Sequence, residues 1–259
     1  MKVVILAGGY GTRISEGQDS VPKPMLEVNG KPILWYIMYH YSLYGFKDFI
    51  VACGYKAKSI KEYFVNYNTF NFDLEIDLKN NSNKIINKSK NLDWNIKLID
   101  TGLDALTGTR IKKLQNHINE DSFLLTYGDG ISNVNIEKLI KFHKRSKKLI
   151  TMTVVRPKAR FGEIVEKKGV IKSFQEKPDL NNGLINAGFF VINKEVFKYI
   201  PKKNCMFERE PLQKIVEKKQ AAAYLHNEFW QCIDTRRELN AMNELFQKKS
   251  YDKILNKNK

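Results

Sequence analysis

Charged residues able to act on phosphate fall at three places where short apolar runs end. Residues 3–13, Val-Val-Ile-Leu-Ala-Gly-Gly-Tyr-Gly-Thr-Arg, put a strand directly before a glycine-rich turn, and Pro22-Lys23-Pro24 follows. Gly8, Gly9 and Gly11 lack Cβ atoms, so the backbone there can take positive φ, approach an anion and aim several N–H groups at it. Arg13 and Lys23 would add positive charge to this phosphate cradle; the competing reading is a tight strand-to-helix turn with no ligand. Further along, Ser122 to Tyr127 delivers Gly128-Asp129-Gly130, and Phe229 to Ile233 delivers Asp234 ahead of a helix. A carboxylate at a strand end suits Mg²⁺, which keeps waters and takes one or two protein carboxylates plus substrate phosphates. Asp129 could instead make an Asx turn and Asp234 could cap a helix, a role compatible with metal binding.

Two better-known phosphate loops do not fit the glycine cluster. A Walker A loop ends in Gly-Lys-Ser/Thr, whereas Gly11 leads into Thr12-Arg13. A dinucleotide fold wants G-x-G-x-x-G and an acidic residue closing the second strand, but Asp48 to Cys53 runs into Gly54-Tyr55-Lys56. The four histidines, His40, His117, His143 and His226, show no ligand spacing, and no Ser/His/Asp or Cys/His set is present.

The elements that must position these groups alternate β then α through residue 155, the pattern of a parallel sheet covered on both faces. Strands are expected at Lys2 to Ala7, Asp48 to Cys53, Trp94 to Ile99, Ser122 to Tyr127 and Leu149 to Val155. Helices are expected at Pro32 to Tyr44, Ala57 to Asn66, Thr109 to His117 and Ile136 to Arg145. After Val155 the rhythm changes to short strands, Gly162 to Glu166, Gly169 to Gln175 and Leu184 to Ile192, which are expected to join one edge of the sheet as the far wall of a cleft. Helices return at Lys194 to Tyr199, Glu210 to Lys218 and Arg236 to Lys248. Phe70 to Asn91 reads poorly: Phe72, Leu74, Ile76 and Leu78 alternate as in a strand, but Lys79 to Lys90 is rich in Asn, Lys and Ser and suggests a mobile loop or subunit contact. The fold class is thus α/β, Rossmann-like and mainly parallel. One domain, 1–259, is expected, in two parts: an α/β part at 1–155 that carries the glycine turn, and a second part at 156–259 that ends in a helix.

Composition sets outer bounds. A chain of 259 residues should bury roughly 70 to 75% of its unfolded surface, enough for one full core. No signal-peptide pattern and no apolar run of membrane-spanning length is seen, so a cytoplasmic protein is expected. Cys53, Cys205 and Cys232 have no metal spacing and read as buried thiols. Net charge +16 invites a polyanion partner, yet the lysines are scattered and no nucleic-acid module accompanies them, so neither nucleic acid nor membrane is expected. Trp35, Trp94 and Trp230 are assigned mainly to packing.

Taken in order, Leu6-Ala-Gly-Gly-Tyr-Gly-Thr-Arg13, Pro22-Lys-Pro-Met25, Tyr127-Gly-Asp-Gly130, Phe174-Gln-Glu-Lys-Pro178, Ile185-Asn-Ala-Gly-Phe-Phe190 and Phe229-Trp-Gln-Cys-Ile-Asp234 resemble the motif set of the sugar-1-phosphate nucleotidyltransferases over nearly the whole chain. Within that family the block Asp100-Thr-Gly-Leu-Asp-Ala-Leu-Thr-Gly-Thr-Arg110 is similar to that of the cytidylyltransferases acting on glucose 1-phosphate. Pro32-Ile-Leu-Trp35, Cys53-Gly-Tyr-Lys56, Lys61-Glu-Tyr-Phe64 and Arg160-Phe-Gly162 add to the match. Three positions depart from it: Thr109 and Ala187 stand where glycine is usual, and Val21 where a lysine is frequent.

The resemblance implies CTP bound over Leu6, Ala7, Gly8, Gly9, Gly11, Thr12 and Arg13, with Lys23, Gly128 and the segment Thr107, Gly108 and Arg110 completing the nucleotide side. It implies Mg²⁺ between Asp129 and Asp234, and a hexose 1-phosphate held by Gly162, Glu176, Lys177 and Asn186. Glu176 would take sugar hydroxyls and Lys177 the sugar's phosphate; on local pattern alone both could belong to a charged turn at a hairpin end. Arg13, Lys23, Asp129, Lys177 and Asp234 are the catalytic candidates, and a homo-oligomer, trimer or hexamer, is implied. The rival readings are another nucleotide or sugar within the same family, or a nucleotide- or polyanion-binding protein without turnover.

Overall fold

Four consecutive apolar residues, Val3–Leu6 (β1), are buried on both sides of a strand, which only a sheet covered on both faces allows. The computed structural model describes residues 1–11, 21–87, 92–157, 163–167, 169–175 and 183–255. Its main sheet adds Asp48–Cys53 (β2), Asn95–Asp100 (β3), Ser122–Tyr127 (β4), Ile150–Val155 (β5), Ile185–Asn193 (β6) and Ala221–Leu225 (β7). The order across the sheet is β7-β5-β6-β4-β1-β2-β3. Strands β4, β1, β2 and β3 run parallel, β5 and β7 run parallel, and β6 alone is antiparallel to both its neighbours.

The two-residue period of a strand sorts side chains into two cores. Val3, Ile5, Phe49, Val51, Leu124, Phe189 and Val191 face one layer; Val4, Ile50, Phe123, Leu125, Phe190 and Ile192 face the other. The first layer is closed by the helix Ile33–Ser42, nearly all of whose residues are buried, because the helices Arg236–Lys248 and Tyr251–Leu255 cover its outer side. Trp35, Tyr36, Tyr39, Phe246 and Tyr251 interlock there with ring centroids 5.0 to 6.4 Å apart. The helix Arg236–Lys248 starts where the sequence predicts, since Thr235 accepts from the Glu238 N–H and Glu238 reaches back to the cap. Helix Thr107–Lys113 and the segment through Phe207 close the second layer.

The expected strands and helices before residue 155 are present with ends shifted by one or two residues, helix Thr107–Lys113 beginning two residues early and finishing as the turn Gln115–His117. The later strands correct the expectation. Ile185–Asn193 does not join an edge but inserts between β4 and β5, because a strand buried on both faces is stabilised most at the centre of the sheet. Among the described residues Glu163–Lys167 and Val170–Gln175 pair only with each other, and Ala221–Leu225, unmarked by any strong pattern, takes the edge. Residues 73–87 form neither a loop nor a single strand but a hairpin, Asp73–Asp77 against Ser82–Asn87. No helix among the described residues is long and apolar enough to cross a membrane.

Candidate active site

The C-terminal ends of β1 and β4 lie side by side, with Leu6 opposite Tyr127, so the glycine turn and Gly128-Asp129-Gly130 leave the sheet together. Gly128 is needed for this junction. Its N–H donates to the Leu6 carbonyl at 3.0 Å, and a Cβ there would meet Pro24 Cγ at 2.8 Å. Gly11 is in the left-handed region with φ 63, while Gly9 has open space where a side chain would be.

Asp129 and Asp234 meet through a second, two-stranded sheet. Gly130–Ser132 pairs with Trp230–Cys232, Gly130 opposite Cys232, and the Ile233 N–H donates to the Asp129 carbonyl at 2.9 Å. Thr235, not Asp234, caps the following helix, so the capping reading of Asp234 does not hold. One oxygen each from Asp129 and Asp234 and the Cys232 sulfur lie within 4.8 Å of one another. The Lys23 ammonium, at the start of the turn Lys23–Met25, donates to Asp129 Oδ2 at 3.4 Å and to Asp234 Oδ1.

The electrostatics follow from crowding charge in a half-buried place. Burial raises the Asp129 pKa and Asp234 adds to it, against the opposing pull of Lys23. For Lys23 burial disfavours the charge, but the bond to Asp234 and the fields of both carboxylates outweigh it and the pKa rises. The Cys232 thiol is pushed up by burial and then by both aspartates, which keeps it neutral. Expected as a buried thiol, it is partly buried and borders the cleft. Two carboxylate oxygens beside the glycine turn fit Mg²⁺, a cation that takes oxygen ligands and leaves a neutral thiol aside.

These groups line one cleft of about 1680 Å³. A pocket for one drug-sized ligand is roughly 300 to 1,000 Å³, so the cleft is larger than one such ligand needs. Leu6, Ala7, Gly8, Gly9, Gly11, Lys23, Thr107, Arg110, Gly128, Asp129, Asn186 and Asp234 all border it. Thr12, Arg13, Gly162, Glu176 and Lys177 lie outside the described residues. Trp230, assigned to packing, also borders the cleft and donates from Nε1 to the Ala187 carbonyl at 2.8 Å.

Arg110 borders the cleft and is anchored from behind it. Its buried guanidinium donates to the carbonyls of Gly8, Cys53, Gly102 and Leu103 and to the Thr101 hydroxyl, at 2.5 to 3.1 Å. With its donors committed to five acceptors, it ties the glycine turn to the ends of β2 and β3 from behind. Thr109 also finds its reason: its hydroxyl accepts from the Cys205 N–H at 3.0 Å, a bond glycine could not make.

The segment Asn204–Glu208 escaped the sequence reading. It is laced to residues 104–109. The Leu106 N–H donates to Asn204 Oδ1, the Asn204 amide to the Asp104 carbonyl, the Gly108 N–H to the Cys205 carbonyl and the Phe207 N–H to Thr107 Oγ1, at 2.8 to 3.0 Å. Gly108 permits this, because a Cβ would strike Cys205 Sγ at 2.7 Å.

Residues 2–248 match the family described as nucleotidyl transferase. The chain is 43% identical over 249 residues to the glucose-1-phosphate cytidylyltransferase of Salmonella typhimurium, covering 96% of each chain. It is 28% identical to a D-glycero-alpha-D-manno-heptose 1-phosphate guanylyltransferase of Campylobacter jejuni, over 89% of this chain and 93% of that one. Among solved structures it is similar to HddC from Yersinia pseudotuberculosis complexed with GMP-PN. The TM-score there is 0.68 at 22% identity, over 95% of this chain and 99% of the other. The profile match along nearly the full length and the Salmonella relative together establish that the chain belongs to the nucleotidyl transferase family.

Proposed function

We propose that this chain transfers a cytidylyl group from CTP to α-D-glucose 1-phosphate, releasing pyrophosphate and CDP-glucose. The observation that carries the reading is the pair Asp129 and Asp234, joined by Lys23 beside the Gly8–Gly11 turn in a cleft of about 1680 Å³, in a chain 43% identical to a relative of that name.

In this reading the N–H groups of the glycine turn and Lys23 hold the triphosphate. A phosphate oxygen of the sugar phosphate attacks the α-phosphorus in line, and the bond from that phosphorus to the bridging oxygen of the β-phosphate breaks. The nucleophile is already an anion near neutral pH, so no general base is required, and positioning and charge neutralisation supply the rate. Asp129 and Asp234 would hold Mg²⁺, whose contribution when bound is to offset the negative charge that builds on the phosphates. Arg13 serves as a further cation, Lys177 holds the sugar's phosphate, Glu176 accepts sugar hydroxyls and Asn186 is another polar contact, as the family resemblance implies. A cytoplasmic homo-oligomer, trimer or hexamer, making a precursor for surface polysaccharide completes the proposal; light scattering on the intact protein checks the assembly.

A screen of CTP, UTP, dTTP and GTP with glucose 1-phosphate, reading pyrophosphate, tests the reaction. A site built to hydrogen-bond cytosine leaves polar groups unpaired when another base enters, so CTP should lead clearly in kcat/KM. Equal values for CTP and UTP would overturn the choice of nucleotide.

A further inference from the structure

Glu208 lies outside every motif recognised in the sequence, yet its carboxylate accepts from two residues that border the cleft, Thr107 and Tyr127. On one side the Thr107 hydroxyl donates to Oε2 at 2.5 Å; on the other the Tyr127 hydroxyl donates to Oε1 at 2.6 Å. Thr107 opens the helix Thr107–Lys113, on the nucleotide side. Tyr127 ends β4, two residues before Asp129, and its oxygen accepts from Asn186 Nδ2 at 3.1 Å. Asn186, the second residue of β6, lies on the acceptor side and is itself fixed, its Oδ1 accepting from the Gly188 N–H at 2.8 Å.

The direction of every bond in this chain is determined. A hydroxyl has one proton. Thr107 accepts from the Phe207 N–H at 2.8 Å and Tyr127 accepts from Asn186, so both must spend their protons on Glu208. An ionised carboxylate, which only accepts, is the one side chain of this size able to receive from both. Burial, reinforced by the charge of Glu208, holds the Tyr127 phenol protonated and therefore a donor. A glutamine would present an amide donor to one of the two hydroxyls, whose own proton would then lose its acceptor. Gly188 keeps the tyrosine in place: its φ is 81, and a Cβ there would meet Tyr127 Cδ2 at 2.6 Å.

We propose that Glu208 is a positioning residue that couples the nucleotide wall to the sugar-phosphate wall, so that a single carboxylate sets the fit of both substrates. The proposal rests on the placement of the two substrates given under Proposed function. Because it touches neither reacting phosphate, its loss acts on substrate affinity more than on turnover.

The test is steady-state kinetics on Glu208→Gln, Tyr127→Phe and the double variant, with KM measured for CTP and for glucose 1-phosphate and folding checked by melting curves. Hydrogen bonds to a charged group are worth enough that Glu208→Gln should raise both KM values about tenfold or more, with kcat changing less than either. Tyr127→Phe should also raise KM for CTP, and the double variant should be little worse than the worse single one, since both remove the same link. A rise in only one KM, or additive losses in the double variant, would overturn the coupling. Should Glu208→Gln fail to fold, Tyr127→Phe decides alone, and an unchanged KM for CTP in it overturns the proposal. A failure of the substrate placement reads differently: Asp129→Asn would then keep full activity, whereas the coupling can fail with Asp129 still essential.

Discussion

Arg110 Nη2 donates to the Gly8 carbonyl at 2.8 Å, and a Cβ built on Gly8 would collide with the same guanidinium. The glycine at this position serves the arginine behind it as well as any anion in front. Gly8→Ala should therefore displace the turn, at an overpacking cost of about 1–3 kcal/mol, and lower kcat/KM for CTP by about tenfold or more. Removing the obstacle changes the outcome: the same Gly8→Ala should cost less in an Arg110→Ala background. Equal costs in the two backgrounds, measured as kcat/KM, would separate the glycine from the arginine.

Asp129→Asn and Asp234→Asn should each lower kcat by about two orders of magnitude or more, the scale lost with one charge-stabilising group. Full activity in the presence of EDTA would remove the metal from the reaction.

Asp129 also allows a stability test with a definite sign. Its pKa is raised in the fold, so the stability gained by protonating it is present at low pH and lost as pH rises through the folded pKa. At pH 7 the fold bears the cost of the ionised carboxylate, which Asp129→Asn removes. The variant should melt higher than the wild type at pH 7, with the gap narrowing on acidification as the wild-type carboxyl takes up its proton. A lower Tm for the variant at pH 7 would show that the bond to Lys23 outweighs burial.

Thr109→Val keeps the shape of the side chain but leaves the Cys205 N–H without its acceptor. The expected loss is about 1–3 kcal/mol of stability, read from urea denaturation at constant m-value. No loss would mean that Thr109 adds nothing over the glycine usual in the family.

Cys232 faces the cleft as a neutral thiol beside two carboxylates. Alkylation by iodoacetamide should stay slow through pH 8, because the thiolate is the reactive form. Asp129→Asn takes away one of the negative charges that suppress ionisation and should speed the reaction. Rapid labelling of the wild type at pH 7 would contradict this.

How much of this was legible depends on how local the cause is. The glycine turn and the strand before Asp129 were readable because a short signal determines each, absent Cβ atoms and an apolar run; the helix from Arg236 was placed correctly, but its cap was sought at Asp234 when the structure uses Thr235 with Glu238. Ile185–Asn193 could be read as a strand but not placed, since its neighbours β4 and β5 are decided by burial across the whole sheet. Arg110 belonged to a recognised block, yet which way its side chain turns depends on carbonyls at 8, 53, 102 and 103. Glu208 gave no signal, because it acquires meaning only from Thr107 and Tyr127, 101 and 81 residues away in the chain. The hairpin at 73–87 was half legible: the apolar alternation marked its first strand, while Ser82–Asn87 is held by main-chain pairing that its polar side chains do not advertise.

The reversed strand β6 bears on how the chain reaches its fold during synthesis. As it emerges, residues up to Tyr127 can already assemble β4, β1, β2 and β3 as a parallel half-sheet, but the outer edge of β4 stays open. Strand β5 comes next and has no neighbour of its own until Ile185–Asn193 is made and lies between the two. For that interval the nascent chain carries unpaired backbone edges on β4 and on β5, the surfaces on which extended segments from other chains add. Chains that stall between residues 155 and 185 would therefore be the ones most in need of a chaperone, and the last strand to enter the centre of the sheet is also the one that brings Asn186 to the cleft.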